Sequence, residues 1–151
     1  MIDSLGMVAA ARALPEQLLA AADAASGAAL PSADGISSVV FMGMGGSGIA
    51  GDVVAAVASP ACPVPIVVNK HYECPAFVGP DTLVIAISFS GNTEETLAAA
   101  RHAVGAGARL VAISAGGHLE RLAHEWGATA LGLDSSIPMP RRTTVPACSP
   151  S

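Results

Sequence analysis

Three hydroxyls, a glycine and an amide fall within six consecutive residues, Ser88-Phe89-Ser90-Gly91-Asn92-Thr93, just ahead of the acidic pair Glu94-Glu95. The side chains of Ser88, Ser90 and Thr93 are hydrogen-bond donors, and Gly91 allows a backbone angle that other residues resist. If the segment opens a helix, the free amides of the first turn add donors and a partial charge of about +0.5. Such a loop holds a phosphate with no Lys or Arg at all. Capping of the helix by Asn92, with Glu95 three residues on, explains those two residues and leaves Ser88 and Ser90 without a role. Ser88, Ser90, Asn92 and Thr93 are therefore the candidate anion-binding residues.

A second loop, Met42-Gly43-Met44-Gly45-Gly46-Ser47-Gly48-Ile49-Ala50-Gly51-Asp52, is glycine-rich. Gly43, Gly45 and Gly48 match G-x-G-x-x-G, which makes a dinucleotide site one reading. That reading expects an acid at the end of the next strand to hold the ribose hydroxyls, and the sequence has Asn69 there. Ile49 replaces the last glycine of a nucleophile elbow, and no Gly-Lys-Ser/Thr of a Walker loop occurs. Gly45, Gly46 and Ser47 are kept as candidates for the same ligand; the alternative is a tight turn and nothing more.

Other polar residues carry weaker signals. His71, His102, His118 and His124 have no regular spacing, so no metal site is expected. His118 follows Gly116-Gly117 at a strand end, while Lys70, His71 and Tyr72 follow another; both groups could face the ligand or stand in solvated loops. Glu94 and Glu95 can do acid–base work, but in a first helical turn they also complement the helix dipole. Trp126, four residues after Leu122, reads as a core contact.

These loops need elements to position them. Residues 38–42, 65–69, 83–87, 109–113 and 128–133 are short runs rich in Val, Ile, Leu and Ala, and segments 49–58, 93–104 and 119–126 between them read as helices. Continuous apolar strands alternating with helices predict an α/β fold, a doubly wound three-layer αβα arrangement on a mostly parallel five-stranded sheet. Residues 1–35 form an expected N-terminal helical segment, broken near Pro15, with Leu14, Leu18 and Leu19 on one face. Residues 36–141 form the main domain. The tail, residues 142–151, is rich in Pro, Ser and Thr and is expected to be irregular, the mark of a truncated or frame-shifted product or an isolated domain.

The composition fits a folded domain. Of 151 residues, 52% are hydrophobic and 13% charged, against about a quarter charged in an average protein. The net charge is -5 and Lys70 is the only lysine, which argues against nucleic acid as a partner. No apolar run approaches the roughly 18–20 residues of a membrane span. Cys62, Cys74 and Cys148 form no C-x-x-C pair, so a reducing, cytoplasmic setting is expected, with no disulfide or zinc scaffold.

Taken together, Gly-Gly-Ser-Gly (Gly45 to Gly48) and Ser-x-Ser-Gly-x-Thr-x-Glu-Thr-Leu (Ser88 to Leu97) resemble the sugar isomerase (SIS) domain. The wording of both loops is most similar to that of the bifunctional phosphoglucose/phosphomannose isomerases. Ile137-Pro138-Met139-Pro140-Arg141 is similar to the segment that closes the first of that family's two SIS domains. The resemblance implies that Ser88, Ser90 and Thr93 bind the phosphate of a hexose 6-phosphate, that Gly46 and Ser47 line the sugar, and that Arg141 stabilises the enediolate. It implies aldose–ketose isomerisation without metal or cofactor, by a Glu that moves the proton between C1 and C2 and a His that opens the ring. The His can come from the partner subunit of a homodimer. In the family these Glu and His residues lie in the second SIS domain, which this sequence does not include. Three readings stay open: the substrate-binding half of an isomerase, a phosphosugar sensor without turnover, and a dinucleotide-binding domain.

Overall fold

Strand alternation explains the arrangement of the layers. A computed structural model describes residues 7–135, and within them five strands form one sheet. These are β1 (Ser38–Met42), β2 (Ile66–Asn69), β3 (Thr82–Ser88), β4 (Arg109–Ser114) and β5 (Thr129–Gly132). Their order is β2-β1-β3-β4-β5, and every neighbouring pair is parallel. The helices are α1 (Met7–Arg12), α2 (Leu14–Ser26), α3 (Gly45–Ala58), α4 (Glu94–Gly105) and α5 (Gly117–Glu125).

Successive residues of a strand point to opposite faces. Val40, Met42, Val84, Ala86, Leu110 and Ala112 share one face and form a buried core with Leu97, Ala100 and Ala103 of α4 and Leu119 and Ala123 of α5. Each large side chain buried there stabilises the fold by roughly 1.5–3 kcal/mol. Phe41 and Val68 point the other way and meet α3. A Cβ added to Gly51 would lie 2.9 Å from the Phe41 Cβ, so α3 rests directly on the sheet. The sheet is therefore doubly wound, with α4 and α5 on one face and α3 on the other.

Local chemistry sets the helix ends. Gly107 and Gly127, both with positive φ, bond back to Val104 and His124, while Ala108 and Ala128 bond to Ala103 and Ala123. That paired pattern closes α4 and α5 alike and turns the chain into β4 and β5. Pro15 stands in the first turn of α2, where its missing N–H costs no helical bond. The two helices expected around that proline are present, yet Leu14, Leu18 and Leu19 are more than half exposed. A cleft of about 560 Å³, lined by Ala21, Ala25, Ile113 and Leu131 among others, separates α2 from the sheet. The coverage of the two faces is unequal: Val84 and Ala86 are fully buried, whereas Leu83, Ile85 and Ile87 are half-buried.

Candidate functional site

In an open parallel sheet a crevice forms where neighbouring strands send their connections in opposite directions. Here β1 and β3 are neighbours, and their chains leave towards β2 and β4 respectively. The connection after β1 is the glycine loop and that after β3 is the hydroxyl loop. Both candidate segments thus flank the switch point, each opening a helix whose first residue has no side-chain cap.

The hydroxyl loop has two layers. Ser88 ends β3 and is buried, with its Oγ 2.9 Å from Thr93 Oγ1. Ser90 lies at the surface, where its Oγ accepts the Asn92 N–H at 3.2 Å. Thr93 immediately precedes α4, and its carbonyl accepts the Leu97 N–H, the first turn of the helix. The amides of that first turn have no intrahelical acceptor, so they remain available as donors beside the Ser90 and Thr93 hydroxyls.

A neighbouring turn holds this loop in place. The Leu119 N–H donates to the Gly91 carbonyl and the Ala115 N–H to the Phe89 carbonyl, so residues 115–119 back the loop. Gly91 has φ +66°, and a Cβ there would fall 1.8 Å from the Gly116 carbonyl oxygen. Asn92 Oδ1 accepts the backbone N–H of His118 at 3.1 Å. Its side chain therefore caps the start of α5, the next helix, a role that neither the capping pattern nor the anion reading of the sequence contains. The His118 side chain itself is exposed on this rim.

Across the crevice, Gly45 and Gly46 are exposed and Ser47 is half-buried. The helix begins at Gly45, four residues before the expected start, because the Ser47 and Gly48 amides already bond to the Met44 carbonyl. Asn69 is buried, and its Nδ2 donates to the carbonyls of Glu73 and His71 at 2.9 and 3.4 Å. A group so engaged holds a loop; it supplies no carboxylate for a ribose. The strand order also differs from the 3-2-1-4-5-6 of dinucleotide folds. Lys70 pairs with Asp52 of α3. Tyr72 lies within electrostatic reach of Glu95 and Glu94 in the first turn of α4. Desolvation, then the charges of Glu95 and Glu94, push the Tyr72 phenol above its ordinary value.

The structure thus brings together Gly45, Gly46, Ser47, Ser88, Ser90, Asn92 and Thr93 at one sheet edge. Arg141 and the Ile137-to-Arg141 segment lie outside the described residues. Among the described residues no group of three or more His, Cys, Asp or Glu could hold a metal, and no helix is long and apolar enough to cross a membrane. Tyr72 is a site-edge residue whose nearness to Glu94 and Glu95 the sequence did not assign; only its place after a strand end signalled it.

Comparison with known proteins agrees with this geometry. The SIS domain model matches residues 36–132. The bifunctional phosphoglucose/phosphomannose isomerase of Caldicellulosiruptor bescii is 39% identical over 125 residues, 82% of this chain and 37% of that protein. The enzyme of the same name from Thermoplasma acidophilum is 46% identical over 86 residues, 57% of this chain and 27% of its own length. The chain thus spans little more than a third of these relatives at most. Among solved structures, tagatose-6-phosphate ketose/aldose isomerase from Escherichia coli shares the fold at TM-score 0.55 and 21% identity, covering 64% of this chain and 30% of that one. With both loops in place at the switch point and the family model matched along the whole sheet, this chain belongs to the SIS domain family.

Proposed function

We propose that this chain holds a hexose 6-phosphate as the phosphate-binding half of an aldose–ketose isomerase, one that interconverts glucose 6-phosphate or mannose 6-phosphate with fructose 6-phosphate. The observation that carries the reading is the pair of uncapped helix starts, α3 and α4, facing one crevice with the Ser90 and Thr93 hydroxyls between strand and helix. A phosphate bound at α4 fixes the far end of the sugar. That remote binding energy then positions C1 and C2 for proton transfer. Gly45, Gly46 and Ser47 line the sugar in this reading. Arg141 and the Glu and His that move protons act from outside the described residues, the His from the partner of a homodimer, in the cytoplasm. Residues 36–141 form the phosphosugar-binding unit, with residues 1–35 as an accessory helical segment and 142–151 as a tail.

Calorimetry tests it. Fructose 6-phosphate should release or absorb heat on binding where NAD does not, and Ser90→Ala should abolish the signal. NAD binding with no response to fructose 6-phosphate would overturn the reading. The alternative reading is a phosphosugar sensor without turnover. A coupled isomerase assay on the chain separates the two.

A further inference from the structure

The side of α3 that looks away from the sheet is apolar and open. Ser47 and Asp52 are the only polar side chains of the helix, and Gly51 turns inward onto Phe41 and Val68. On the outer side Ile49, Val53 and Val57, each four residues from the last, are 59%, 55% and 76% exposed, and Ala50 and Ala56 are exposed beside them. A surface helix normally carries charge on that side, and a helix apolar all round belongs in an interior. Branched side chains in one row expose on the order of a few hundred Å², the scale of a contact surface.

We propose that a second copy of the chain docks on this stripe, α3 against α3, about a twofold axis that passes near Val53. Charge selects the second copy. The chain carries a net charge of -5, so most faces of two copies repel. On α3 they can meet without opposing free carboxylates, because its one acid, Asp52, is already paired with Lys70, the only lysine of the chain. α2 also exposes leucines, yet it carries Glu16 and Asp23 and no base. A twofold axis lays a patch on itself, and an uncharged row of Ile, Val and Ala is self-complementary. Area sets the strength. One helix face offers less than the roughly 800 Å² per partner of a standard interface, so the dimer is weak, with a dissociation constant on the order of 10–100 µM. The contact gives the homodimer of the reading above its surface, starts directly after the glycine loop, and holds whatever the crevice binds.

Sedimentation velocity on the full 151-residue chain, from about 1 to about 500 µM, tests the contact. The wild-type chain should pass from monomer to dimer over that range. Val53→Asp and Val53→Lys, each alone, set like charges across the axis and should weaken the dimer about 100-fold or more. Mixed in equal amounts, the two variants should pair again, Asp against Lys. Leu18→Asp, at a comparably exposed leucine of α2, should dimerise like the parent. A wild-type chain that stays monomeric overturns the proposal and leaves the stripe to a different protein or to a further segment of a longer chain. A dimer that survives both Val53 variants, or that is lost in Leu18→Asp, overturns it too by placing the contact elsewhere. So does a mixture that fails to pair. Val53 is exposed, so melting curves of both variants at low concentration should overlay that of the parent, and a failed mixture is then no folding defect. Calorimetry with fructose 6-phosphate decides the ligand separately.

Discussion

The hydroxyls of Ser88 and Thr93 lie 2.9 Å apart and tie the last residue of β3 to the residue that opens α4. Ser88 is 1% exposed, so its hydroxyl has little access to water as a substitute partner. Thr93→Val therefore removes one cradle donor and strands a buried one, at a cost of about 1–3 kcal/mol. Ser88→Ala together with Thr93→Val should cost less than the two single changes added, because the double variant leaves no orphan. Urea unfolding of the four proteins measures this. Additivity within about 0.3 kcal/mol would mean that the pair is not coupled. On the binding side, Thr93→Val should weaken fructose 6-phosphate by about 10-fold or more.

Two glycines at the crevice should respond in opposite ways to alanine. At Gly91 the added carbon meets the Gly116 carbonyl oxygen, which is backbone and cannot rotate away, and φ is +66° besides. Gly91→Ala should cost on the order of 3 kcal/mol or more, enough to leave much of a marginally stable chain unfolded. At Gly46 a Cβ has nothing within 4 Å. Gly46→Ala lies in the first turn of α3 and should change stability by less than about 1 kcal/mol, in the stabilising direction. Thermal melts distinguish the two. If Gly46→Ala folds well and still loses fructose 6-phosphate, the loss reports the ligand's approach to the loop.

At the end of β2, Asn69 serves as a donor to two carbonyl oxygens. Asn69→Asp keeps the shape and reverses the chemistry, setting a carboxylate against those oxygens in a buried position. The expected cost is about 2–3 kcal/mol at neutral pH, seen as a lower melting temperature, with Asn69→Ala costing less. The same substitution restores the acid that a dinucleotide fold carries at this position. It should not confer NAD binding, and a calorimetric signal for NAD in Asn69→Asp would revive the dinucleotide reading.

Much of this arrangement was legible in the sequence because it rests on local patterns. The apolar runs at 38–42, 83–87 and 109–113 have the length and composition of buried strands, and the loops between them carry glycine and hydroxyl groups in fixed order. A parallel sheet then has few places to put a ligand, which is why Ser90, Thr93 and Gly46 could be named together. What escaped depends on contacts distant in sequence. Asn92 reads as a cap of its own helix, and only the packing of residues 115–119 against the loop shows that it caps α5 instead. Tyr72 is 23 positions from Glu95 in the chain; no spacing rule links them. The start of α3 was missed for the opposite reason: Gly45, Gly46 and Gly48 have poor helix propensity, and the close seat of α3 on the sheet overrides it.

Alkaline pH offers a test of the loop that carries Tyr72. Cys74 packs half-buried against the core, and that burial raises its thiol above the ordinary value of 9.0. The Tyr72 phenol is likewise raised above 10.0, by desolvation and then by Glu95 and Glu94. In both cases the native state holds its proton more tightly than the unfolded chain. The native state therefore binds more protons once the pH passes the unfolded values, and stability falls as pH rises. Their contribution is fully present at neutrality and is lost first above pH 9.0, from Cys74, then above pH 10.0, from Tyr72. Urea unfolding at a series of pH values should show this two-part decline. Cys74→Ala should remove the earlier part, and Tyr72→Phe the later. The thiol should also react more slowly at pH 8 than a free cysteine, which peptide-resolved labelling measures. An unchanged alkaline decline in Cys74→Ala would show that the thiol is not responsible for it.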